Sequence, residues 1–126
     1  MALPQRHRLK GRRVFDRLYQ RGRRLHGPLL TLRWLVADPA LLPPPLNHQS
    51  PSAWRCGLVI SAKVSKRAVQ RNRLRRRLQA QLLLHPPVAP APLWLLISLK
   101  PGCAEADPGL LLGECNDLLR QAGLLP

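Results

Sequence analysis

Lys63-Val-Ser-Lys-Arg-Ala-Val-Gln-Arg-Asn-Arg-Leu-Arg-Arg-Arg77 decides how this 126-residue chain folds and what it can bind. Its eight cations (Lys63, Lys66, Arg67, Arg71, Arg73, Arg75, Arg76 and Arg77) meet no acid within the run. Leu74, Leu78 and Leu82 recur every fourth residue, which at about 100° per residue draws an apolar stripe. The spacing predicts a helix over residues 66–84 that packs through that stripe. Asn72, Arg73 and Arg76 fall opposite the stripe or to its side, and Arg75 and Arg77 flank it. Arg67 and Arg71 lie on the stripe's own side but one to two turns earlier, so they are expected to overhang the core and reach free of it. Like charges at i, i+3 and i+4 repel, and a merely solvated helix face mixes signs. So much uncompensated cation on an ordered element calls for a polyanion. Guanidinium forks suit phosphates, and the Asn72 amide can donate or accept towards sugar or base. Charge alone does not separate RNA from DNA.

Working outward, residues 1–9 read as extended. Residues 10–21 read as a short amphipathic helix with Val14 and Leu18 on one side and Phe15 and Tyr19 stacked one turn apart, stopped at Gly22. Leu29 to Val36 alternates as a strand, with Leu30, Leu32, Trp34 and Val36 sharing a face. The stretch 37–54 carries five prolines and supports neither helix nor ladder. Arg55 to Ser61 reads as a second strand. After the long helix, 85–92 is another proline-rich connector. Leu93 to Leu99 is apolar almost throughout, as a central strand covered on both faces would be. Asp107-Pro108 has the form of a helix N-cap followed by proline at the first helical position, with the helix running to about Gln121 and Gly123 past its end. The order helix, strand, strand, helix, strand, helix predicts one α+β domain over 1–126: a compact two-layer sandwich with a small sheet.

Composition removes several classes. The net charge is +15, yet 45% of residues are apolar, so the chain is a folded basic domain and not a basic tail. Only Lys10, Lys63, Lys66 and Lys100 are lysine among its 21 cations; the rest are arginine, the side chain that forks onto phosphate and stacks on bases. Four of the six acids lie from Glu105 onward, which leaves the body of the chain cationic. No apolar run reaches the roughly 20 residues of a membrane span. Residues 1–10 hold no apolar run of signal-peptide length, so a cytoplasmic location is expected. Cys56, Cys103 and Cys115 show no paired spacing, and buried, inert thiols are expected. His7, His26, His48 and His85 are scattered, no metal-binding spacing appears, and Ser61 and Ser65 have no evident base. There is no glycine-rich phosphate loop. Any reaction this chain joins is carried elsewhere.

Five aromatics remain. Trp94 reads as core. Phe15 and Tyr19 sit among Arg12, Arg13 and Arg17, where the rings could serve as core or as a stacking platform for unpaired bases. Both readings stay open on the residues alone.

Several stretches, in order, resemble the protein component of bacterial ribonuclease P. The strongest are Arg55-Cys-Gly57, Ser61-Ala-Lys63 and Arg67-Ala-Val-Gln-Arg-Asn-Arg-Leu-Arg-Arg76. They are joined by Leu3-Pro4 with Arg8-Leu9, Phe15 with Tyr19, Gly22-Arg23, Gly27-Pro28 and Leu118-Leu119 through Ala122-Gly123. A ribosomal or other structural RNA-binding protein, or a DNA-binding architectural protein, would explain the charge but not this ordered set. The resemblance implies a mixed sheet whose strand–helix–strand crossover is left-handed, against the usual rule. It implies partnership with a catalytic RNA that removes the 5′ leader of precursor tRNA by Mg2+-dependent hydrolysis, the ions held through the RNA. No catalytic group, metal site or organic cofactor in the protein, and no obligate protein partner, is implied. Lys63, Lys66, Arg67, Arg71, Asn72, Arg73, Arg75 and Arg76 would hold the catalytic RNA. Phe15, Tyr19, Arg12 and Trp34 would line the leader groove, with Arg33 the alternative to Trp34. Two features depart from the family: Ala62-Lys63 stands where two lysines are usual, and 37–54 is long and proline-rich.

Overall fold

The computed structural model describes residues 3–42 and 53–126. Seven elements follow in order: α1 (Arg12–Arg21), β1 (Arg23–His26), β2 (Leu30–Val36), β3 (Trp54–Val59), α2 (Ala68–Leu84), β4 (Leu93–Leu99) and α3 (Pro108–Gln121). The strands form one mixed sheet in the order β1-β2-β4-β3, antiparallel except for the parallel β3/β4 pair that α2 connects. The proline-rich stretch 37–54 opens on a 3₁₀ turn, Pro39–Leu41, and residues 43–52 of it lie outside the described residues.

β4 is the hub, flanked by β2 and β3 as its nearly unbroken apolar run predicts. Leu93, Leu95, Ile97 and Leu99 face one side and pack with Leu30, Leu32, Trp54 and Cys56 against α2 and α3. Trp94 and Leu96 face the other side and pack with Val14 and Leu18 of α1. The predicted stripe Leu74, Leu78 and Leu82 is the buried face of α2, with Leu78 wholly enclosed. Burying each such leucine contributes about 1.5–3 kcal/mol, enough to hold down a helix whose outer face repels itself. α3 starts as expected: the Asp107 carboxylate accepts from Gly109 N at 2.7 Å, Pro108 follows, and Gly123 takes φ +77° beyond the end.

Four local readings change. Residues 1–9, read as extended, carry a 3₁₀ turn at Gln5–His7. Residues 22–28, to which the sequence pattern assigns no element, contain β1, whose side chains except Leu25 are exposed. A strand with so little to bury leaves no alternation to read, and it forms by pairing, Leu25 against Leu32 and Arg24 against Arg33. The long helix begins at Ala68 and not at residue 66, because Arg67 is extended (φ −87°, ψ 115°). The second strand spans Trp54–Val59; the chain turns at Ser61, whose carbonyl accepts from Val64 N.

β3 is an edge strand, and residues 3–9 cover its free side. Leu9 N donates to Cys56 O at 3.2 Å, and Arg8 bridges Cys56 in parallel. Arg55 fastens this strap: its buried guanidinium donates to the carbonyls of Gln5 and Arg8, each at 3.0 Å. Burial lowers the Arg55 pKa. His7 stacks flat on Trp54, ring centroids 4.0 Å apart, and Leu3 is sealed in the core. The strap covers this edge around Cys56, where another chain could otherwise extend the ladder.

All three thiols are buried. Burial, with the Glu114 charge adding, pushes the Cys115 thiol up to about 12 from 9.0, and burial chiefly raises Cys56 and Cys103 as well. The folded state therefore favours the protonated thiol. That stability is fully present below the unfolded pKa near 9.0 and is lost as pH rises towards the folded values. Thiol alkylation of the native protein at pH 8 should stay negligible until denaturant is added, while the urea midpoint should fall between pH 9 and 11. Fast native alkylation at all three sites would contradict this packing.

Among the described residues, no helix is long and apolar enough to cross a membrane.

Candidate nucleic-acid interface

The turn from β3 into α2 is built to hold cations outward. Ile60 and Val64 are buried and pin it from below. Lys63 N donates to Ser61 Oγ at 3.3 Å. Ser65 Oγ donates to Gln70 Oε1 at 2.6 Å and accepts from Arg67 N at 3.2 Å. Lys63, Lys66 and Arg67 are left exposed on this braced loop, and Asn72, Arg73, Arg76 and Arg77 are exposed along α2. Among the described residues the ion pairs are Arg12–Asp16 and Arg120–Asp117, so no acid neutralises any cation from Lys63 to Arg77.

Two members of this set differ from expectation. Arg71 is not free: it is half-buried and donates to Ser65 O at 2.8 Å, tying the first turns of α2 back to the loop. With Arg67 outside the helix, the loop carbonyl comes within reach of Arg71, which the wheel over 66–84 could not show. Arg75 donates to Asn72 Oδ1 at 2.8 Å. The Asn72 oxygen is thus engaged once, on an exposed residue whose NH2 can donate.

The second surface lies on the other face of the sheet. Arg24, Arg33, Leu96 and Gly57 stand in one row across β1, β2, β4 and β3, and His26, Thr31, Ser98 and Val59 in the next. Phe15 rests on Gly57, and Tyr19 lies under the guanidinium of Arg33, 4.8 Å from its ring centroid. α1 therefore crosses the strands. Its flank of Arg12, Phe15 and Tyr19 overhangs the first row and leaves the second as the floor of a groove. His26 Nδ1 and Thr31 Oγ1 are 3.1 Å apart on that floor. Phe15 is half-buried and packs on the α1 core, whereas Tyr19 is 50% exposed. The rings do not stack on each other; each has its own partner across the sheet.

Gly57 explains how Phe15 sits so low. A Cβ there would lie 3.1 Å from two atoms of the Phe15 ring and 3.2 Å from Leu9. Glycine lets the ring come this close to the strand; a Cβ would push it back by a few tenths of an ångström. Arg55 and Gly57 point to this face together, one holding the strap that leads into α1 and the other admitting the α1 ring.

Trp34 is corrected. It packs against the cluster beneath α2 and α3, on the far side of the sheet from Phe15 and Tyr19. Arg33, one residue before it, takes the groove side. Strand alternation separates the two, but the sequence does not say which face α1 covers. Arg24 was missed with β1 itself; its only sequence signal is a doublet of arginines after Gly22.

The sequence model of the family described as Ribonuclease P matches residues 3–123. The chain is 51% identical to the ribonuclease P protein component of Prochlorococcus marinus (strain MIT 9303) over 127 residues, covering 99% of each. It is likewise 51% identical to that of Parasynechococcus marenigrum (strain WH8102) over 126 residues, covering 98% of each. Among solved structures, the RNase P protein of Staphylococcus aureus superposes with a TM-score of 0.76 at 16% identity, covering 95% of this chain and 98% of that one. The RNase P protein of Thermotoga maritima gives 0.69 at 19%, covering 90% and 96%. At such identities the structures speak for the fold alone.

Proposed function

This chain belongs to the ribonuclease P protein family, whose work is tRNA 5′ processing, and from that premise we propose how it does its part. The braced loop and outer face of α2 hold the catalytic RNA through Lys63, Lys66, Arg67, Arg73 and Arg76, with Asn72 donating. Arg71 and Arg75 contribute by fixing the loop and the asparagine. The groove beside α1 takes the single-stranded 5′ leader of precursor tRNA. Tyr19 and the exposed edge of Phe15 offer stacking surface there, and Arg12, Arg24 and Arg33 offer charge to its phosphates. The RNA performs the phosphodiester hydrolysis. The Mg2+ of that reaction is assigned to the RNA subunit.

The observation that carries the reading is the acid-free row of exposed cations on a hydrogen-bonded scaffold. Loop and helix are ordered by internal bonds, so little ordering entropy remains to be lost on binding. Reconstitution tests it. Added to a bacterial ribonuclease P RNA and precursor tRNA at low magnesium, the protein should raise the rate of leader removal, and protein without RNA should cleave nothing. No gain in rate, or cleavage by the protein alone, would overturn the assignment.

A further inference from the structure

α1 carries a third row of arginines that neither the catalytic-RNA surface nor the groove uses. With Val14 set at zero on the helix, Arg12, Phe15 and Tyr19 occupy the groove flank, whereas Arg13 and Arg17 lie on the opposite flank and Arg21, about 40° further round, comes to the sheet-facing side at the helix end. All three are exposed. The one acid of α1, Asp16, stands one turn from Arg13 but pairs with Arg12, at 3.9 Å. Like charges at i and i+4 destabilise a helix, and among the described residues no ion pair relieves these three. The steps are about 6 Å long, a cation ladder that a phosphate backbone can follow. The drift also carries the row towards the sheet edge. It ends at Arg21, one residue before the Gly22 stop, beside β1, where Arg24 stands opposite Arg33 of the groove. The cations therefore form one continuous path: Arg33 and Arg24 in the groove, Arg21 at the helix end, then Arg17 and Arg13 along the outer flank.

Resting on the groove reading above, we propose that Arg13, Arg17 and Arg21 form a rail for the upstream part of a long leader. The strand leaves the groove over β1, turns round the C-terminal end of α1 and runs back along its outer flank. The rail contacts phosphates and reads no bases. It extends affinity to long leaders whatever their sequence, and a leader that ends inside the groove does not reach it.

Binding of precursors trimmed one leader nucleotide at a time tests the rail. They would be blocked at the scission site and bound to holoenzyme reconstituted with a bacterial ribonuclease P RNA. For the wild type, affinity should rise in two stages as the leader lengthens. Arg13→Ala with Arg17→Ala should abolish the second stage only. For long leaders the loss should be about tenfold near physiological salt, and the slope of log affinity against log salt should become shallower by about 1.4, for two contacts of about 0.7 each. Arg13→Lys with Arg17→Lys should restore it, because lysine still neutralises phosphate. Wild-type affinity for long leaders in the alanine variant would sink the rail. An equal loss at every length, leaderless tRNA included, would also sink it by moving these arginines onto the RNA subunit. If the wild type binds leaderless and short-leader tRNA alike, it is the groove reading that fails.

Discussion

Changing Lys63, Lys66, Arg73 and Arg76 together to alanine is expected to weaken binding to the catalytic RNA by about two orders of magnitude near physiological salt. All four side chains are exposed and none has an acidic partner. Each removed phosphate contact should make the salt slope shallower by about 0.7, or about 2.8 for the four. Folding should survive, since none of the four packs in the core or bonds to the scaffold. Arg71→Ala provides the contrast. Its guanidinium holds Ser65 O, so the expected result is a stability loss of about 1 kcal/mol with only a small change in slope. Filter binding across a salt series, with thermal melts of each variant, separates the two. A slope unchanged in the fourfold variant would remove α2 and its loop from the RNA interface.

Gly57→Leu is expected to cost leader affinity more than it costs the fold. The new side chain must enter the space of the Phe15 ring and Leu9, against a strand fixed on β4. Overpacking of this kind costs about 1–3 kcal/mol of stability. Something has to move, and α1 is the freer partner, because β3 is locked by ladder bonds on one side and the strap on the other. Lifting α1 displaces Phe15 and Tyr19 from the groove wall and forfeits stacking worth about 1–3 kcal/mol per base. The preference for precursor over mature tRNA should fall about tenfold or more, while affinity for the RNA subunit holds. Gly57→Ala should show the same direction weakly, since a single methyl needs a shift of only a few tenths of an ångström. An unchanged preference in the leucine variant would mean that Phe15 plays no part in holding the leader.

What could be read from the residues divides along physical lines. The α2 stripe, the apolar run of β4 and the capped start of α3 were legible because each is a local pattern with strong energetics behind it: burial, two covered faces, a paired carboxylate. β1 was not, because a strand with one half-buried side chain owes its existence to β2. The cations of the loop and α2 were legible as a set, but not their division into free and tied, because the capture of Arg71 depends on where the helix begins. Trp34 and Arg33 could be placed on opposite faces by parity alone. Choosing between them required the crossing direction of α1, which is a property of the packed molecule.

The Arg55 strap has a consequence for biosynthesis. Residues 3–9 leave the ribosome long before the guanidinium and the strand edge that receive them. That strand in turn needs β4, still further along, to be held in place. Contacts spanning such separations form late. The earliest segment made is thus among the last to settle, and a bulky fusion ahead of Leu3 should slow maturation far more than the same fusion placed after Pro126.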